Sequence, residues 1–309
     1  MIHYVLRRLF GIIPTLIIII TLSFFIIRLA PGSPFSSERN LPPAVIANLE
    51  KKIHLDEPLI LQYLRYLGDV LRGDLGYSTK HTDFTINEFI VRSLPVSLTL
   101  GVAALTLALV TGVTFGVMAA LRRNTLLDHG LMALSILGIS VPMFVIGPLL
   151  QLFFSVYLGW LPTAGWISSR SGGLTLILPI LTLSVTDFAY IARLTRTSVL
   201  EILRSDFIRT ARAKGLPERD IIFKHTLRGA LLPVLSFLGP AFANIVTGSV
   251  VVESIFDIPG MGRFFVNSAL NRDYFMIMAT VIVYAVILLV ANLVVDIIYA
   301  IMDPRVVYE

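Results

Sequence analysis

The chain has 309 residues, 56% of them hydrophobic and 15% charged, with a mean hydropathy of +0.83 and a formal net charge of +5. A soluble domain carries a larger charged share, and here the apolar residues gather in blocks of about 20, the length that crosses the hydrocarbon of a bilayer as a helix. The composition excludes an ordinary soluble domain. Basic residues then read first as topology signals rather than as a nucleic-acid footprint, and a chain without cysteine has no disulfides, thiolate zinc sites or iron–sulfur clusters.

The first apolar block, Leu9–Leu29, follows Arg7 and Arg8 and ends in RLAPGSPF. It is longer than the core of a signal peptide and lacks a small-residue cleavage site, so it reads as an uncleaved span. The polar stretch up to Ser93 contains LPPAVIANLEKKIHLDEPLILQYLRYLGDVL. Within it Leu61, Leu64, Leu67 and Leu71 fall near one helical face, and Pro42 and Pro58 stand at helix starts. A small folded helical cap is expected. Further spans read as Val96–Leu121, Leu131–Leu158, Leu174–Ile191, Ala230–Val252 and Phe275–Met302. The fold class is therefore all-α: a polytopic membrane protein of six transmembrane helices, with the cap between the first and second. Gly112 and Gly116 form a Gly-x-x-x-Gly in the second span, a pattern of close helix packing.

Placing the N-terminus inside collects Arg7, Arg8, Arg122, Arg123, the basic loop Arg193–Arg228 and Arg305 on one side. Long exported segments such as the cap count little in this rule. Trp160 and Trp166 stand at a short outer loop as interface anchors. The expected topology has both termini inside and the cap outside.

The inner loop contains SDFIRTARAKGLPERDIIFKHTLR, Ser205–Arg228. Read as a helix over Thr195–Lys214, it puts Val199, Leu203, Phe207 and Ala211 on one stripe and Arg204, Arg209 and Arg212 away from it, an amphipathic surface helix. Gly215 suits a left-handed helix end and Pro217 the start of the next helix. Glu218 and Asp220 fall in that new first turn, where the helix dipole favours acids. Gly229 and Pro233 bend the chain into the fifth span. Binding to anionic lipid would account for the charges. A docking knob for a cytoplasmic partner also accounts for the Gly-Leu-Pro break, which lipid binding does not need.

Polar groups inside apolar spans are expensive and mark candidate functional positions. Asp187 and Asp296 each lie about two turns from the inner end of a span, either paired with an inner-face arginine or capping a neighbouring helix, or lining the lower path. Asn244 and Asn292 lie deeper, where interhelical hydrogen bonding is the common role. Glu253, Asp257 and the turn Pro259-Gly260-Met261-Gly262 form either a plain re-entrant turn or part of an outer gate or receptor-docking surface. Asp187, Asn244, Glu253 and Asp296 are the candidate path or gate residues. No phosphate-cradling Gly-x-x-x-x-Gly-Lys-Ser/Thr and no His-Glu-x-x-His occur. Ser140 has no buried base, since His3, His54, His81, His129 and His225 lie outside the apolar spans. No catalytic, metal or cofactor site is expected.

FIRTARAKGLPERDIIFKHTLRGALLPV resembles the cytoplasmic coupling loop of ABC importer permeases of the dipeptide, oligopeptide and nickel branch. Arg209-Thr210-Ala211 stands where the general importer pattern has Glu-Ala-Ala ahead of its glycine, here Gly215, and Leu232-Pro233 lies farther downstream than in the general form. RLAPGSPF, LDEPLILQYLRYLGDVLRGDLGYS, VVESIFDIPGMGRFFVNSALNRDYF and VDIIYAIMDPR, in that order, extend the resemblance over the whole chain, toward the B-type permease of oligopeptide importers. The resemblance implies a type I importer permease fold with residues 1–93 as first helix plus cap, residues 94–303 as the transmembrane domain with coupling loop 193–229, and a tail at 304–309. It implies that Arg209, Thr210, Ala211, Arg212, Ala213, Lys214, Gly215, Leu216 and Pro217 couple to the ATPases. Its partners would be a C-type permease, two cytoplasmic ATPase subunits that hydrolyse the ATP, an external peptide-binding protein and the bilayer of a bacterial inner membrane, without nucleic acid. Dipeptides, nickel chelates or cell-wall peptides are alternative cargoes. An ion-coupled transporter is the alternative mechanism, and it requires carboxylates near mid-bilayer.

Overall fold

The computed structural model describes residues 2–29, 51, 54–80, 84–166 and 172–302. The expectations for Pro42, His81, Arg305 and the tail at 304–309 fall outside these residues. Among the described residues the secondary structure is helical, apart from one isolated bridge, Tyr77 to Thr85. In chain order come α1 (Ile2–Leu29), α2 (Leu59–Leu71) and α3 (Ile86–Leu121). Next are α4 (Leu126–Ser140), α5 (Met143–Tyr157) and α6 (Ile177–Leu203, led in by a 3₁₀ turn). The rest is α7 (Asp206–Ala213), α8 (Glu218–Ala230), α9 (Leu232–Ile255), α10 (Met261–Asn271) and α11 (Tyr274–Met302).

Four of these, α1, α3, α6 and α11, are long and apolar enough to cross a bilayer singly, and two bent pairs, α4–α5 and α8–α9, raise the number to six. The third span is not the straight helix expected over Leu131–Leu158. It breaks at Val141-Pro142, where α4 and α5 meet at 109°, because the residue before a proline is pushed out of helical geometry: Val141 has ψ 121. The break does not turn the chain back. Asp128 at the start of α4 pairs with Arg196 near the end of α6, Gly138 lies against Val185 and Ala189, and Gly147 lies against Ile255 and Phe256 at the far end of α9. The chain thus advances from one end of the bundle to the other, and α4–α5 is one crossing. The same logic puts the N-terminal part of α1, the C-terminal part of α11 (Arg8 to Asp296, 3.2 Å) and the α7–α8 corner at one end. The cap and the Pro259–Gly262 turn are at the other.

Helix α3 has 36 residues, roughly 54 Å at 1.5 Å per residue, so its first turns stand beyond the hydrocarbon. Thr85 and Glu88 close a reciprocal capping box there. Its inward edge is a row of small residues, Ser97, Gly101, Ala104, Ala108, Gly112 and Gly116, all buried. This row seats α6. A Cβ at Gly116 would lie 2.6 Å from the Ala192 carbonyl oxygen, and one at Gly112 2.9 Å from Ile191. The Gly-x-x-x-Gly therefore serves packing within the chain. Leu100, Leu178, Leu183, Ile245, Val252 and Phe256 fill the core between α3, α6 and α9. Trp166 packs against this cluster, whereas Trp160 is exposed.

The cap helix α2 turns a different face inward from the one expected. Leu61, Leu64 and Leu71 are exposed, and Gln62 and Tyr66 are buried, with Tyr63, Leu67 and Val70 against Phe24 and Phe25 of α1. Gln62 is held by the carbonyls of Leu55 and Glu57, at 3.1 and 2.7 Å, and aromatic stacking with Phe24 (5.8 Å to Tyr66) fixes the rotation. Ring-to-ring packing outweighs the leucine periodicity.

Candidate functional site: the corner between α7 and α8

The helix expected over Thr195–Lys214 is two helices. α6 runs on to Leu203, twelve residues past the predicted end of the fourth span, and the chain breaks at Arg204-Ser205 before α7 begins at Asp206. Ser205 is in extended geometry (φ -69, ψ 154) at the N-cap, the conformation and residue type that start a helix. The break shifts the register. Ile208 becomes the fully buried residue and Phe207 is exposed, contrary to the stripe read from sequence. Ile208, Ala211 and Ile221, with Ile202 and Leu216 against them, make a small core of the corner's own.

The turn between α7 and α8 closes as predicted. Gly215 has φ +76. Its N–H donates to the Arg212 carbonyl at 2.9 Å, and the Leu216 N–H donates to the Ala211 carbonyl at 3.3 Å. This is the paired pattern of a Schellman helix end, with Leu216 packed on Ala211 as the accompanying apolar contact. Pro217 then occupies the N-cap position of α8, with Glu218 and Asp220 in the first turn. Arg212 Nε donates to Glu218 at 2.8 Å across the turn, Arg209 pairs with Asp206 at 3.3 Å and Lys224 with Asp220 at 3.1 Å. The partners are largely exposed, so each pair is worth under about 1 kcal/mol; their effect is to hold the shape. Of the nine residues assigned to coupling, Ala211 is buried and Leu216 half-buried. Arg209, Thr210, Arg212, Ala213, Lys214, Gly215 and Pro217 form the exposed tip. A Cβ on Gly215 would meet nothing within 4 Å, so its φ, not crowding, is what requires glycine there. Phe207 and Phe223 are 52% and 64% exposed beside the tip, two large apolar groups whose exposure the sequence reading did not foresee. Behind the corner, α8 passes through a wider π turn at Ile221–Thr226 and meets α9 at 48°, with Pro233 in the first turn of α9.

The four candidate path or gate residues have different surroundings. Asp296 pairs with Arg8. Asp187 is buried (7% exposed) and makes no hydrogen bond or ion pair among the described residues, so the expected pairing with an inner-face arginine does not occur there. Six residues separate it from Arg193, which places the two on different sides of α6, and Arg193 lies over the Tyr190 ring at 5.6 Å. Asn244 is exposed on α9, whereas Asn292 of α11 lies against Gly239, whose missing Cβ makes room for it. Glu253 is fully buried. It accepts from Ser97 at 2.6 Å, Ser249 at 2.9 Å, Gly262 N–H at 2.9 Å and Arg263 N–H at 3.3 Å. Ser97 in turn accepts from Met261 N–H at 2.8 Å. The carboxylate caps the N-terminus of α10 and ties it to α3 and α9. Gly260 and Gly262 are there because a Cβ on either would run into Glu253 or Val250. Asp257, with φ +50, instead pairs at the surface with Arg263 at 2.6 Å.

One buried ion pair escaped the sequence reading. Arg196 of α6 grips Asp128 of α4 in a two-pronged bond, donating from Nε at 2.6 Å and from Nη2 at 2.7 Å, and Asp128 also accepts from Asn124 N–H at 2.9 Å. Thr125 caps α4 by accepting from Asp128 N–H. The Thr-x-x-Asp before an apolar run was a readable start signal; its partner 68 residues away was not. Among the described residues no group of three or more His, Asp or Glu could hold a metal ion.

Residues 112–308 match the family model of the binding-protein-dependent transport system inner membrane component, and residues 1–101 match the model of its N-terminal part. The chain is 50% identical over 309 residues, all of both chains, to the oligopeptide transport system permease protein OppB of Salmonella typhimurium. It is 45% identical over 306 residues, covering 99% of this chain and 98% of the other, to the dipeptide transport system permease protein DppB of Bacillus subtilis. Its fold is similar to a chain of the methionine ABC transporter MetNI in an inward-facing conformation, with TM-score 0.55 and 21% identity over 70% of this chain and 96% of that one. The chain is a member of the binding-protein-dependent transport system inner membrane component family.

Proposed function

We propose that this chain is one half of the transmembrane pore of an ATP-driven importer of oligopeptides, in the inner membrane of a bacterium, with both termini and the α7–α8 corner in the cytoplasm. Its other half would be a C-type permease, with two ATPase subunits on the cytoplasmic side and a peptide-binding protein outside. The observation that carries this reading is the corner itself. It is a rigid, exposed tip with its own small core, a left-handed glycine end and two uncovered phenylalanines, braced from behind by α6 and α9. A tip of that kind suits transmission of a partner's closure to the spans, which is how a ligand bound far from the path biases a two-state path. Residues 1–93 would serve as first helix and outer cap, 94–303 as the transmembrane domain and 304–309 as a tail. Of the path candidates, Asp187 keeps an unpaired carboxyl inside a span, which suits a path or gate position, whereas Asp296 and Glu253 suit structural roles. The likeness to a dipeptide permease supports dipeptides as a second cargo.

The test is uptake of a labelled tetrapeptide and a labelled dipeptide by membrane vesicles containing the chain with the products of its neighbouring genes. Uptake should stop when ATP is removed with the ion gradient intact, and should persist when the gradient is collapsed at constant ATP. The reverse pattern would establish an ion-coupled transporter. A reporter fused after Gly215 should read cytoplasmic, and one in the cap should read exported.

A further inference from the structure

The outward faces of two neighbouring spans differ in chemistry. On α11 the exposed described side chains are Val286, Val290, Val294 and Ile298, an apolar ridge such as lipid covers. On α9 the exposed described side chains are Pro233, Ser236, Pro240, Asn244, Val251 and Ser254. Their steps of three, four, four, seven and three residues put all six within about a quarter of the helix circumference at 100° per residue. The ridge runs the length of the span and carries no charge, two hydroxyls and one amide. It also presents backbone polarity. Pro240 has no N–H, so the carbonyl of Ser236, one turn back on the same ridge, loses its ordinary helical donor. A polar side chain and an underused carbonyl at membrane depth are tolerated where they line water or are buried in protein, and are costly against lipid tails. Ser236 and Ser254 direct their hydroxyl protons to the carbonyls of Leu232 (3.2 Å) and Val250 (2.9 Å), which leaves their oxygens as acceptors toward the exposed side.

We infer that the Ser236–Pro240–Asn244–Ser254 ridge of α9 is this chain's wall of the solute path, and that it holds its cargo by the peptide backbone rather than by side-chain charge. The inference rests on the import reading above. The ridge supplies hydroxyl and carbonyl acceptors, the groups that match backbone N–H. No Asp, Glu, Lys or Arg is exposed on it to favour or reject a charged side chain. Peptides of either charge would pass such a wall.

The chain has no cysteine, so single cysteines can be read without background. Ser236→Cys, Asn244→Cys and Ser254→Cys on α9, with Val290→Cys and Val294→Cys on α11, are to be treated with a membrane-impermeant charged methanethiosulfonate. Vesicles of both orientations are used, with the full complement of subunits. Because only the thiolate reacts and it needs water, the α9 positions should label on the order of tenfold or more faster than the α11 positions. Excess peptide should slow their labelling, and labelling should block uptake. Asn244→Asp should slow uptake of an anionic tetrapeptide more than that of a cationic one, and Asn244→Lys the reverse. Labelling of α9 as slow as that of α11 from both sides overturns the inference and makes the ridge a dry helix contact. Equal effects of Asn244→Asp and Asn244→Lys on both peptides overturn its charge-neutral part. The unlabelled cysteine variants are assayed for ATP-dependent uptake alongside. Uptake intact with no labelling defeats this inference alone, whereas absence of ATP-dependent uptake in the parent defeats the import reading.

Discussion

The two ends of the bundle solve opposite problems with the same residue types. At the α7–α8 corner, glycine is needed for its backbone angle alone, with open space around it, and the acids and bases meet as exposed pairs. At the far end, the glycines of the Pro259–Gly262 turn are needed because atoms crowd them, and the acid, Glu253, is fully buried among hydroxyl and backbone donors. An exposed corner gains little stability from its charges and relies on backbone geometry for shape. A closed junction draws its stability from a buried carboxylate, and becomes vulnerable to its loss. Substitutions at the far end should therefore cost folding, and substitutions at the corner should cost function with the fold preserved.

The largest effect is expected at Glu253. Glu253→Ala strands the Ser97 and Ser249 hydroxyls and the N–H groups of Gly262 and Arg263, a loss on the order of 3–5 kcal/mol. It should appear as a steep fall in membrane abundance and in the melting temperature of the detergent-solubilised protein. Glu253→Gln, which keeps one acceptor, should fall between. Next comes Arg196→Ala, which leaves Asp128, 1% exposed at its side chain, as an unpaired buried charge at a cost of about 3 kcal/mol. Arg196→Lys keeps the charge but not the two-pronged grip and should restore only part. The double change Asp128→Asn with Arg196→Gln should be milder than Arg196→Ala, and a double variant as unstable as the single would show that the pair acts through packing. Gly116→Val wedges α3 from α6 and should cost at least about 2 kcal/mol, read in the same thermal assay. Smallest are the corner changes. Gly215→Ala places a Cβ in left-handed geometry for about 1–2 kcal/mol, and Arg212→Gln, which breaks a pair whose members are 46% and 59% exposed, should shift stability by less than about 1 kcal/mol.

The difference between the ends also explains what could be read from the sequence. The spans were legible because each is a block of apolar residues, and the Gly215 helix end was legible because a local motif makes it: glycine, then a proline, then acids. Features set by distant partners were not. The rotation of α2 is decided by rings on α1, so the leucine periodicity pointed to the wrong face. Phe207 lost its place in the stripe to Ile208 because Ser205-Asp206 restarts the helix, a signal overlooked in a run that otherwise looks continuous. The third span was read straight through Pro142, the residue that sets its break, and the 109° angle depends on what α4 and α5 pack against. Glu253 stood out as a buried acid, yet its role followed only once Ser97, 156 residues earlier, was seen to meet it.

The most direct measurement is recovery of the ATPase subunits with the tagged chain purified from membranes, comparing the parent protein, Gly215→Ala and Gly215→Val at equal membrane abundance. Gly215 has open space around it, so a side chain there costs only local left-handed backbone strain; all three should insert, with Gly215→Ala melting a few degrees below the parent and Gly215→Val lower still. Gly215→Ala should retain part of the ATPase. Gly215→Val, which adds β-branching to a left-handed position at the exposed tip, should lose ATPase recovery and its stimulation by loaded binding protein. ATPase recovery and transport at the parent level in Gly215→Val would contradict the assignment of this corner as the coupling site.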